Sequence, residues 1–187
     1  MADVTFEGLA RSSIRELEPV LREGAAPDAA SLTGSEWRGF NVGLKMRLLG
    51  AQKFRKGFFA GPDGIEGYNT PVRQGGKGGP GGRGVPGGPW TPKPSPERPK
   101  RFGFFLVKPV APGGRDSRYP KALLLDYGAS PRNPPRSPTR PIRDYLVQPD
   151  PGNPDLMLGK GYMALGGLRL FPQFFVIERL DDAAWTP

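Results

Sequence analysis

Apolar residues fall into two different rhythms along this chain. In residues 12–23, SSIRELEPVLRE, Ile14, Leu17, Val20 and Leu21 recur at helical spacing. Ser13 and Glu16 stand three apart in capping-box order, and Gly24 supplies a stop. The pattern predicts a helix, with a kink or early break at Pro19. A second short turn is expected in 26–34, capped by Asp28. Beyond residue 101 the rhythm changes to short aromatic and β-branched runs separated by Gly, Pro, Asn and Asp. These runs are RFGFFLVKPV (101–110), YPKALLLDYGA (119–129), RPIRDYLVQPD (140–150), LMLGKGYMALG (156–166) and PQFFVIERL (172–180). Five such segments with no strong helix between them predict an antiparallel meander or barrel. Uninterrupted FFLV, LLL and FFVI call for strands covered on both faces.

Between these regions the pattern is less decisive. Residues 41–59 allow a helical face of Leu44, Leu48 and Leu49, or an alternation through Met46, Leu48 and Phe54. GIEGYNTPVRQ (64–74) reads as a strand. Residues 75–100, GGKGGPGGRGVPGGPWTPKPSPERPK, are low in complexity and are expected to build no core.

Composition sharpens this picture. Gly (28) and Pro (24) are far more numerous than in an average chain of 187 residues, and the 75–100 segment concentrates them. The net charge is +9. Residues 73–101 hold seven basic side chains against one acid, Glu97, so most of that charge lies in one segment. The segment reads as a solvated, loosely packed insertion; the alternative is an arm that docks on an acidic protein or a nucleic acid through 73–101. Its resemblance to RNA-binding Arg-Gly segments is thin, with one Arg-Gly pair (Arg83–Gly84) and one aromatic, Trp90.

The chain has no Cys and no His. Disulfides, thiolate nucleophiles, imidazole acid–base chemistry and the usual zinc, iron–sulfur and haem ligands are excluded. Carboxylates lack calcium-loop spacing, and no Gly-Lys-Ser/Thr phosphate loop occurs. No cofactor or metal is expected. The N-terminus has no signal-peptide core, and no apolar run reaches membrane-spanning length. These features lead to the expectation of a cytoplasmic protein.

SEWRGF (35–40), followed by YGASP, PIRDY (141–145), a Leu-Gly-Lys strand (158–160) and FFVIER (174–179), resembles the bacterial proteins named after a GXWXG motif, with their companion C-terminal domain of unknown function. The likeness is strongest over 124–180. Here the first glycine of the motif is displaced, because Ser35 stands where it is expected and Gly34 precedes it. The resemblance implies a mainly β fold: a small antiparallel lipocalin-like barrel or half-barrel over 34–187. It follows an N-terminal helical segment (1–33) and carries the basic Gly/Pro loop as an insertion. It implies that Trp37 plugs one end, that Gly39 gives it room, and that Arg179 of the last strand lies over its ring.

The resemblance further implies non-catalytic binding of a small hydrophobic or amphipathic ligand inside the barrel. Candidate contacts are Phe102, Phe104, Tyr162 and Phe175, with Arg143, Tyr145 and Lys160 as polar anchors for a headgroup. Period two places Phe102, Phe104 and Leu106 on one face and Phe175, Ile177 and Arg179 on another. The remaining strand charges and phenols, Lys108, Asp126, Tyr127, Asp144 and Glu178, are expected on solvated faces. An enzyme reading has no motif behind it; it requires Asp126, Asp144 and Tyr145 to converge in one pocket.

Overall fold

The structure, a computed structural model, describes residues 4–74, 88–182 and 185. Its N-terminal part forms three short helices, α1 (Phe6–Arg11), α2 (Ile14–Glu23) and α3 (Ala29–Leu32). In α2 the Ser13 hydroxyl accepts from the Glu16 amide and the Glu16 carboxylate accepts from the Ser13 amide, closing the expected capping box. The helix runs through Pro19 to Glu23 without breaking, unlike the sequence expectation. Leu17 and Leu21 anchor it to the barrel, while Ile14 stays exposed.

Eight strands follow: β1 (Glu36–Asn41), β2 (Lys53–Gly61), β3 (Gly64–Pro71), β4 (Phe102–Pro109), β5 (Leu123–Asp126), β6 (Ile142–Val147), β7 (Leu156–Leu165) and β8 (Leu168–Asp181). Each pairs antiparallel with the next, and β8 closes on β1, giving a complete barrel. The fold is therefore mainly β, as the strand spacing predicts, and the closed form rather than a half-barrel. Closure leaves no free sheet edge. No helix among the described residues is long and apolar enough to cross a membrane.

The wall carries two separate apolar layers. Inside, Trp37, Phe58, Phe105, Leu125, Leu146, Met157 and Ile177 meet one another, with Leu32 of α3 at the same end. Outside, Phe40, Leu124, Val147, Leu158, Phe174 and Val176 are covered by Phe6, Leu9, Leu17 and Leu21 of the helices. Alternation assigns Phe175 and Ile177 to the lumen and Phe174 and Val176 to the outer layer, so the continuous FFVI run is buried on both sides.

Three local readings are corrected. Residues 41–59 divide into a short helix, α4 (Leu44–Leu48), and strand β2; Leu44, Leu48 and Leu49 are exposed and build no core. Residues 88–100 are not devoid of core. Trp90 is buried against Phe6, with ring centroids 5.9 Å apart, and its indole N–H donates to the Gly39 carbonyl at 3.0 Å. The rest of the Gly/Pro segment, 75–87 with Lys77 and Arg83, lies outside the described residues. Finally, Phe102 and Phe104 do not share a face. A bulge at Gly103, whose φ is +55°, sets three steps of β4 (102 to 105) opposite two steps of β3 (69 to 67), so Phe102 and Phe105 point the same way instead.

Candidate functional site: a polar floor inside an apolar cavity

At one end the lumen is filled. Trp37 is fully buried there. Its indole N–H donates to the Ser35 hydroxyl at 2.7 Å, and that hydroxyl donates to the Leu32 carbonyl at 2.5 Å. Arg179 lies over the indole, its guanidinium carbon 4.8 Å from the ring centroid, and is held by Asp155 at 2.6 Å and the Ser31 carbonyl at 3.1 Å. The displaced glycine has its own reason. Gly34 has φ +83° and open space around its α-carbon, so it serves the chain direction, not the approach of the ring. Gly39 does give room, but to Phe54, whose ring occupies the space a Cβ would take. Glu36 and Arg38 point outward yet are not freely solvated. Glu36 is buried between Tyr68 and Arg55, and Arg38 pairs with Glu178 and lies between Phe6 and Trp90.

A ladder of rings rises from the plug. Trp37, Phe58, Phe105 and Tyr127 follow one another with centroid separations of 6.4, 5.6 and 5.1 Å. Above Tyr127 the packing stops and a cavity of about 530 Å3 opens toward the other end of the barrel. Phe54, Phe102, Ile142, Met163, Phe171 and Phe175 form its apolar walls; Lys53, Gln74, Lys93 and Gln173 stand among the residues of its mouth.

The cavity floor is polar. Lys56 enters from β2, Asn69 from β3, Tyr127 from just beyond β5 and Asp144 from β6. The Lys56 ammonium donates to Asn69 Oδ1 (2.9 Å), the Tyr127 hydroxyl (2.6 Å) and Asp144 Oδ2 (3.1 Å). Tyr127 donates to the same Asp144 oxygen at 2.9 Å, and Asn69 Nδ2 donates to Tyr127 and to the Gly103 carbonyl. Four rings, those of Phe54, Phe105, Tyr127 and Phe175, surround the ammonium at 4.8 to 5.6 Å.

Burial sets the electrostatics of this group. It draws the Lys56 pKa below the ordinary lysine value, with the Asp144 charge and hydrogen bond acting against that shift. The Tyr127 hydroxyl is pushed well above the usual phenol range, first by desolvation and then by the Asp144 charge.

Of the sequence candidates, Phe102 and Phe175 line this cavity. Tyr162 borders it, but its ring stacks on Tyr145 outside the barrel, 5.8 Å away. The other four do not reach it. Phe104 lies on the outer wall near Tyr68 and Trp185 because of the Gly103 bulge. Arg143 and Tyr145 flank Asp144, so an inward Asp144 forces both outward. Arg143 is satisfied there by Asp126 at 3.2 Å and by the carbonyls of Arg140 and Ile142, and needs no ligand headgroup. Lys160 also faces out and ties β7 to helix α2 through Glu18 at 2.6 Å, with Tyr119 at 2.9 Å. Asp126, Asp144 and Tyr145 therefore do not converge. Asp144 and Tyr127, assigned to solvated faces from sequence, are buried in the lumen.

Sequence reasoning passed over Lys56 and Asn69. For Lys56 a signal was present: in KFRKGFFAG, period two places it between Phe54 and Phe58 on the inward face. Among the described residues no group of three or more acidic side chains is arranged to hold a metal ion. Comparison with known proteins adds no relative: no family model, curated protein or solved structure matches the chain.

Proposed function

We propose that this barrel is a non-catalytic container for a small hydrophobic or amphipathic molecule, held in the lumen with its chain along Phe54, Phe102, Ile142 and Phe175. The observation that supports this is the cavity of about 530 Å3, walled by apolar side chains, that remains open above a filled lower half. Such concave apolar sites with a few placed polar groups are the usual form of small-molecule sites. The resemblance of residues 124–180 to the GXWXG proteins, whose barrel is read as a container of the same kind, points in the same direction.

Burial of roughly 0.8 kcal/mol per methylene gives a ten-carbon chain roughly 8 kcal/mol, equivalent to a dissociation constant of about 1 µM, and ordering costs of about 3–4 kcal/mol weaken this to about 0.1–1 mM. The test is titration of the protein with an environment-sensitive apolar fluorophore, followed by displacement with aliphatic compounds. Met163→Trp fills the cavity from β7 and is expected to abolish binding while leaving the unfolding midpoint in place. Equal binding by this variant and the parent protein overturns the proposal.

A further inference from the structure

The hydrogen-bond valences of the floor restrict the ligand further. Lys56 has three N–H donors, and all three are taken by Asn69, Tyr127 and Asp144. The single O–H of Tyr127 goes to Asp144 Oδ2, and the two N–H groups of Asn69 go to Gly103 and Tyr127. No donor of the quartet is left for a ligand. One acceptor is. Asp144 Oδ1 receives no hydrogen bond from any described residue, although the Asp144 side chain is only 8% exposed. It is not sealed in either, since Asp144 lines the cavity. It faces Gly161, which also lines the cavity, and a Cβ at 161 would overlap that oxygen.

We propose that the polar end of the ligand held at this floor is a neutral hydrogen-bond donor, a hydroxyl, delivered to Asp144 Oδ1, and not a carboxylate. This rests on the container reading above. A carboxylate offers only acceptors, so at this depth it would meet Asp144 with no donor between them, an arrangement that burial penalises strongly. A hydroxyl satisfies Oδ1 and carries no charge to desolvate. An ether lacks the donor and leaves Oδ1 unsatisfied.

The test compares 1-decanol, its methyl ether and decanoate by displacement titration at neutral pH, on the parent protein and on two variants. On the parent protein 1-decanol is expected to bind about tenfold tighter than the ether. Gly161→Ala covers Oδ1 with a methyl and should erase that preference. Asp144→Asn keeps the shape. Because Lys56 and Tyr127 both donate to the oxygen they already share, its NH2 must take the place of Oδ1, turning the free acceptor into a donor. The ether and decanoate should then gain on the alcohol. Equal binding of alcohol and ether to the parent protein overturns the proposal. So does tighter binding of decanoate than decanol, or an alcohol preference that survives in whichever of the two variants folds. If none of the three compounds binds, the container reading itself fails.

Discussion

Lys56 and Asp144 form an ion pair of 3.1 Å straight across the lumen. Their strands, β2 and β6, stand four places apart in a ring of eight and share no backbone pairing. The pair therefore braces opposite walls and marks the level at which side-chain filling ends and open cavity begins.

Removing one partner leaves the other charge buried without its counterion. Lys56→Met is expected to lower unfolding free energy by about 3–5 kcal/mol, whereas adding Asp144→Leu to it should recover most of that loss, because a well-packed apolar pair often matches a buried ion pair. Urea denaturation of the two variants checks the direction and the recovery.

The plug depends on a hydroxyl. Ser35→Ala takes away the acceptor of the Trp37 indole N–H in a fully buried position. A cost of about 1–3 kcal/mol is expected, measured as a shift in the denaturation midpoint at constant slope.

Alkaline pH should unfold the protein more readily than its charge alone implies. Tyr68 is pushed up to about 12, by desolvation first and then by its hydrogen bond to Glu36. Burial also raises Tyr127, Tyr145 and Tyr162. A phenol whose folded pKa is raised contributes stability that is complete below the unfolded value near 10 and is lost as pH climbs toward the folded value. At about pH 11 the tyrosinate absorbance of the folded protein should fall well short of the five tyrosines in the chain and rise to the full value in urea. Full ionisation without unfolding contradicts this.

The strand sequence and the doubly covered LLL and FFVI runs were legible because period two and turn residues are local signals, whereas FFLV is buried only at Phe105 and partly exposed elsewhere. What local signals miss is register. The Gly103 bulge, set by pairing with β3, moves Phe104 out and aligns Phe102 with Phe105. The position of Asp144 in the lumen likewise depends on which parity of β6 faces in. Leu146 and Ile142, inward with it, decide that together, and Arg143 and Tyr145 must then follow outward. The Lys56 quartet draws on four separate segments, so no single window of sequence contains it. Trp90 was obscured by its surroundings, since a Pro-rich composition argues against core while one buried indole contradicts it.

The three tryptophans divide among three layers of the molecule. Trp37 sits in the filled lumen, Trp90 beneath helix α1, and Trp185 against Tyr68 and Phe59 on the outer face of β2 and β3. None of them lines the cavity. Emission from the native chain thus carries three spatially distinct signals, for plug, helical cover and C-terminal contact, with single Trp→Phe variants able to isolate each. A guest entering the barrel would leave the indoles largely in place, so extrinsic fluorophores suit binding studies and the intrinsic signal suits tracking which layer loosens first.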